Sequence, residues 1–397
     1  MDKKLSQYLT VTACYWAFTL TDGALRMLVV LYFHQLGYSA LEIASLFILY
    51  EFFGMVTNLF GGWLAAHKGL NLTLKLGLVL QIIALVMLLL PPSLLTVAYV
   101  MLVQALSGIA KDLSKMSAKS SIKALIPHEA QHKLYQWVTL LTGSKNALKG
   151  IGFFLGAALL ALIGFQGAII TMALMLFLVF IASLRLLQND LGSRSFKAKF
   201  KTLFSKSKRI NGLSAARLFL FGARDIWFVV ALPVYLQTQL DWQHVEVGSF
   251  LAAWIIVYGL VQSFAPKLTQ MVSKKTPNGR AAFFWALPLI GIPLALSYFS
   301  ATEGLSSENL VASLMIFGAF FAINSSIHSY LIVAYADKDS VSLDVGFYYM
   351  ANAAGRLIGT LLSGFLFQHY GLVICLLTSS AFVAFAALIS FFLPKHH

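Results

Sequence analysis

Runs of apolar residues long enough to cross a lipid bilayer recur along this chain with only short breaks between them. A helix rising 1.5 Å per residue needs about 20 such residues to traverse the hydrocarbon layer. Twelve runs meet that length, near residues 8–33, 40–66, 73–91, 94–118, 136–163, 167–187, 211–238, 245–270, 281–299, 309–335, 344–367 and 371–393. The fourth can continue past the membrane boundary to Lys123. The chain is 59% apolar and 11% charged, against about 45–50% and about 25% in soluble domains. A water-soluble core has no room for that surplus. An all-α integral membrane protein with twelve transmembrane helices is expected. Cys14 and Cys375 lie in apolar runs, which gives no disulfide framework. The first run carries Asp22 and Arg26 and lacks a small-residue cut site, so it reads as a retained helix.

The longest break, 188–210, is basic throughout and places Phe196, Phe200 and Phe204 at helical spacing. It reads as a cytoplasmic linker lying as a surface helix on an anionic leaflet. The formal net charge of +14 is a matter of topology. Lys or Arg occurs in both tails and in every second connection. The alternate connections carry only Asp241, Glu303 and Glu308 as charges. That split predicts cytoplasmic termini and excludes a nucleic-acid footprint.

Shifting the sequence by 204 residues aligns "LEIASLF" at 41–47 with "VEVGSFL" at 245–251. Near this offset the pair Gly152/Gly156 meets Gly355/Gly359, both read as close-packing seams. The halves then divide as a six-helix bundle over 1–187, the linker over 188–210 and a second six-helix bundle over 211–397. Two pseudo-symmetric six-helix bundles with cytoplasmic termini resemble the major facilitator superfamily. That resemblance implies alternating access, with substrate held between the bundles near the midplane. It also implies peripheral third, sixth, ninth and twelfth helices, and those spans have uncharged interiors. One departure is "GWLAAHKGLN", which has Ala66 where the superfamily's loop carries Asp.

Charges inside the other spans mark the site. Lys111, Lys115, Lys119 and Lys123 recur every fourth residue, a stripe rotating about 40° per step and about 18 Å long. Lys119 and Lys123 are expected to snorkel to the headgroups; Lys111 and Lys115 lie deeper. Lys145 and Lys149 repeat the spacing in the fifth span. With Arg26, Arg224 and Arg356 they outnumber the deep acids Asp22, Glu51, Asp112 and Asp225. The acids are expected in charge pairing or coupling: Asp22 with Arg26 four residues on, and Asp112 with a lysine. Adjacent Arg224 and Asp225 are not expected to face each other. The cation excess points to a small organic anion bound across both bundles, since Arg forks and Lys point charges suit phosphate or carboxylate. Asn324 and His328, in the polar "AINSSIHSYL", are candidates for hydroxyl or carbonyl recognition. His128 and His132 have metal-like spacing, but no metal site and no cofactor are expected.

"YWAFTLTDGALRMLVVLYF", "LSGIAKDLSKMSAKSSIK" and "TGSKNALKGIGFF" resemble the ArsJ family of organoarsenical efflux permeases. The resemblance implies export of 1-arseno-3-phosphoglycerate, arsenate resistance, a bacterial inner-membrane location and a functional link to glyceraldehyde-3-phosphate dehydrogenase. Residue chemistry alone reaches a transporter of polyanions. An organophosphate or phosphate antiporter stays open as the alternative. An enzyme would need a nucleophile–base or metal set and a sensor an output domain, and the sequence has neither. A monomer with lipid as its surroundings is expected.

Overall fold

A computed structural model describes residues 3–38, 42, 45–125, 131–187, 207–242, 244–302, 306–337 and 341–394. Among them the regular structure is helical: α1 (Lys3–Gln35), α2 (Ile48–Lys68), α3 (Leu70–Met87), α4 (Val97–Leu125), α5 (Gln131–Leu186), α6 (Lys208–Phe228), α7 (Ala231–Gln239), α8 (His244–Val272), α9 (Gly279–Thr302), α10 (Ser307–Tyr335) and α11 (Val341–Phe391), with a short 3₁₀ turn at Pro92–Leu94. Nine stretches of the described residues are long and apolar enough to span a membrane. Two of these, of 55 and 51 residues, are each long enough for two crossings. With α2 they make the twelve crossings that the apolar runs predict.

The double-length helices turn at glycines. Gly164 has φ 69° and ψ −179°, and Gly371 has φ 75° and ψ −174°. A side chain disfavours that backbone conformation, and open space surrounds both positions, so conformation alone calls for glycine there. A different cause interrupts the seventh crossing between α6 and α7. Pro233 lacks an N–H, and its ring crowds the carbonyl four residues earlier. The freed Ala231 amide donates to Ser363 Oγ at 3.1 Å. Between α2 and α3 the connection shrinks to Gly69, at φ 90°, whose amide caps Ala65 at 3.0 Å. The third crossing therefore begins at Leu70, earlier than its apolar run suggests. His67 packs against Trp63 there, with ring centroids 4.4 Å apart and the planes tilted by 39°.

The chain forms two compact units. Unit 1 comprises residues 1–130, 144–205 and 336–350; unit 2 comprises 131–143, 206–335 and 351–397. In unit 1, glycine seams bring α1 against α5. A Cβ at Gly152 or Gly156 would fall on the carbonyls of Leu20 and Ala24. In unit 2 the same device brings α6 against α11, where a Cβ at Gly355 or Gly359 would fall on the carbonyls of Leu218 and Gly222. The core of unit 2 is aromatic: Trp227, Trp254, Phe317 and Phe321 are buried together. Large apolar side chains also face outward, among them Leu162 at 81% exposure and Leu178 at 69%, surface that suits lipid. The linker helix expected over 188–210 lies outside the described residues as far as residue 206.

Candidate functional site

The deep charges of the first half assemble in unit 1. Close approach of α2 and α4 is the local cause. A Cβ at Gly108 would meet the Tyr50 carbonyl, and one at Gly54 would meet the Asp112 carboxylate. Asp112, on α4, is 1% exposed and accepts ion pairs from Lys111, at 3.6 Å, and from Lys115. Lys111 also stands 4.0 Å from Glu51 Oε2 and 3.9 Å from the centroid of the Tyr50 ring. Glu51 Oε1 takes Arg26 Nη2 at 3.5 Å. The Arg26 guanidinium lies over the rings of Phe47 and Tyr50, at 4.8 and 5.2 Å.

The intrahelical Asp22–Arg26 pair expected from spacing does not form. Asp22 Oδ2 pairs with Lys149 at 3.6 Å, and Oδ1 accepts from the Tyr50 hydroxyl at 2.6 Å. The α1–α5 seam explains the exchange. Gly23 lets the Lys149 backbone approach α1, which delivers the ammonium to Asp22 and leaves Arg26 to reach α2. Lys145 sits one turn from Lys149 on α5, half-buried. Lys119 differs from expectation as well. It is 2% exposed, buried by protein rather than extended to headgroups, because α4 is packed against α1, α2 and α3. The Lys123 side chain lies outside what the structure describes. From the opposite end of the sequence, Tyr349 places its ring 4.5 Å from Lys115 Nζ within the same unit.

Unit 2 holds a tighter cluster. Asp225, fully buried, accepts from Arg224 Nε at 2.6 Å through Oδ1 and from Arg356 Nε at 3.1 Å through Oδ2. Adjacent Arg224 and Asp225 do meet, contrary to the helical-wheel expectation. The long guanidinium stem folds back over its neighbour, flanked by the rings of Phe221, Phe228 and Phe321 at 5.0–5.8 Å. Two turns earlier on α6, Arg217 donates to Asn352 Oδ1 at 2.8 Å and to the Ser325 carbonyl and hydroxyl at 3.1 Å. Tyr258 and Gln262 of α8 donate to the same hydroxyl at 3.0 and 3.2 Å.

Arg217, Tyr50 and Tyr349 were missed by sequence reasoning. A full count of charges inside the 211–238 run would have found Arg217. Nothing in the sequence marks the tyrosines, which are ordinary residues of apolar helices. Asn324 and His328, each 1% exposed, take partners from other helices. Asn324 Nδ2 donates to the Ala282 carbonyl at 2.6 Å, and His328 Nε2 lies 3.4 Å from Ser390 Oγ. Of the histidine pair, His128 lies outside the described residues and His132 contacts Gln270 at 2.9 Å.

The Major Facilitator Superfamily sequence model matches residues 11–302 and, separately, 213–397. No curated protein matches the chain. Among solved structures, the E. coli fucose:proton symporter FucP aligns with a TM-score of 0.73 at 13% identity, over 98% of this chain and 100% of that one. The proton:xylose symporter XylE gives 0.75 at 13% identity, over 99% and 96%. The human organic anion transporter MFSD10 gives 0.76 at 13% identity, over 98% and 100%.

Proposed function

This chain belongs to the Major Facilitator Superfamily and is a membrane transporter, and on that premise we propose that its cargo is a small organic polyanion moved outward. One observation carries the reading. The unit 1 cluster gathers Arg26, Lys111, Lys115 and Lys149 about Asp22, Glu51 and Asp112, four cations to three acids. Each charge within a membrane span costs about 3 kcal/mol or more, so an excess of cations there implies an anion that repays it. The fold does not choose the cargo, since proteins of this shape carry fucose, xylose or organic anions. The side chains do. A sugar needs no lysine surplus, and a lipophilic cation needs the opposite one.

Within that class we assign 1-arseno-3-phosphoglycerate, on the resemblance of residues 15–33, 106–123 and 142–154 to the ArsJ permeases. The protein then confers arsenate resistance from the bacterial inner membrane, with both termini cytoplasmic and glyceraldehyde-3-phosphate dehydrogenase supplying the ester. The unit 1 lysines bind the anion, trading Asp112 and Asp22 for its oxygens. Within unit 2, Arg224 and Arg356, held by Asp225, offer bidentate donors of the kind a phosphate or carboxylate takes. Moving one negative charge outward across 100 mV releases about 2.3 kcal/mol, so a dianion leaves without a compulsory proton.

Flux of the arsenoester into inside-out vesicles, with potential and pH gradient set separately, tests this. Uptake driven by the potential alone is expected. Transport that survives collapse of the potential but stops with the pH gradient overturns the energetics. Equal transport of sugar phosphates or inorganic phosphate overturns the substrate and favours an organophosphate or phosphate antiporter.

A further inference from the structure

The turn joining α8 to α9 belongs to neither charged cluster. Between Glu246 and Glu303 the sequence holds no acid, yet Lys267, Lys274, Lys275 and Arg280 all fall within residues 267–280. A cavity of about 260 Å³ opens at this turn. Its lining combines Ser273, Lys275 and Thr276 with Ala281, Phe284 and Trp285. Close by, Met271 is 83% exposed, Val272 73% and Phe284 61%. In a chain that crosses a membrane, such apolar surface beside a basic turn lies where headgroups meet acyl chains. The turn is held by its own bonds. The Lys275 amide donates to Ser273 Oγ at 3.3 Å, and the Ala281 amide donates to Asn278 Oδ1 at 3.1 Å.

We propose that this cavity is a binding site for an anionic phospholipid. The lipid phosphate meets Lys275 on the cavity wall, Lys274 beside it in the turn adds to the attraction, and the glycerol and upper acyl chains lie against Phe284 and Trp285. Charge complementarity selects an anion, because no carboxylate in this stretch competes for the cations. The apolar part of the lining selects a lipid over free phosphate, which gains nothing from Phe284, Trp285 or the exposed Met271. A zwitterionic lipid carries the same apolar tail without the net charge, and so is held more weakly.

Native mass spectrometry of the purified, delipidated full chain tests the site, with phosphatidylglycerol and phosphatidylcholine as the probes. The expected result is preferential retention of phosphatidylglycerol. That preference falls about twenty-five-fold in the double variant Lys274→Gln/Lys275→Gln, taking each surface lysine as worth about fivefold. The variant Lys274→Arg/Lys275→Arg keeps the charge and retains the lipid, which separates loss of binding from loss of folding. Phe284→Ser lowers retention of both lipids. Equal phosphatidylglycerol binding by wild type and the Gln variant overturns the proposal. So does displacement of the lipid by an equal concentration of inorganic phosphate, which makes the site one for free anions. None of these residues belongs to the transport clusters, so a failure here leaves the proposed cargo standing.

Discussion

The two units hold their charges differently, although both hang them on the same helix seam. In unit 1, α5 packs on α1 through Gly152 and Gly156; in unit 2, α11 packs on α6 through Gly355 and Gly359. Arg26 lies two residues beyond Ala24, and Arg224 two beyond Gly222, so the two arginines occupy the same register of the repeat. Their surroundings diverge. Arg26 reaches across to Glu51 on α2 at 3.5 Å, within a set of lysine pairs mostly near 3.6–4.0 Å. Arg224 is held by the next residue on its own helix, a fully buried Asp225 that also holds Arg356, at 2.6 and 3.1 Å. Lysines are mobile point charges that exchange partners easily, whereas an arginine fork on a buried carboxylate is fixed in direction. Under the proposed function, exchange of partners falls to unit 1 and preorganisation to unit 2.

Removing the anchor of unit 2 is the strongest way to break this contrast. Asp225→Ala removes a fully buried carboxylate and leaves two partly buried guanidiniums beside one another; it is expected to cost about 3 kcal/mol, read as a lower melting temperature of the purified protein. Glu51→Gln, at a partly exposed acid with looser contacts, is expected to cost about 1 kcal/mol or less. Equal losses would show that the two clusters are held alike. The seams test the shared part. Gly152→Leu and Gly355→Leu each force a side chain onto a carbonyl and are expected to lose about 1–3 kcal/mol, by similar amounts if the repeat is real. A large effect at one seam only would break the equivalence.

Transport measurements sharpen the contrast further. Arg224→Lys, which removes the fork and keeps the charge, is expected to lower flux about tenfold, the loss of one charge-assisted hydrogen bond. Lys115→Arg is expected to keep most of the flux, while Lys115→Gln abolishes it with normal amounts of folded protein. Tolerance of Arg224→Lys alongside intolerance of Lys115→Arg would reverse the assignment of roles. The smallest effect is expected at Tyr349. Tyr349→Leu removes a cation–π contact with Lys115 worth about 0.5–1 kcal/mol, which changes the apparent affinity for the anion about threefold. Tyr349→Phe keeps the ring and is expected to match wild type.

The sequence by itself determined the class of this protein and the number of its crossings, because backbone polar groups in lipid admit little besides full-length helices. The turns at Gly164 and Gly371 fell inside the predicted breaks or beside them, and the seam glycines were legible from their spacing alone. So was the inventory of most deep charges, since a lysine or an acid inside an apolar run stands out in any reading. The partners of those charges were decided only by the tertiary structure. Spacing along one helix suggested Asp22 with Arg26, but approach of a neighbouring backbone at Gly23 gave Asp22 to Lys149 and left Arg26 to Glu51. Arg224 and Asp225 met because a long side chain can fold back over its neighbour, which a helical wheel does not represent. The tyrosines around the lysines were equally hidden. Tyr349 lies 234 residues after Lys115 in the chain, yet its ring sits 4.5 Å from that ammonium. Local periodicity fixes which face of a helix a residue occupies; which helix meets that face is set by packing, and packing chose the ion pairs.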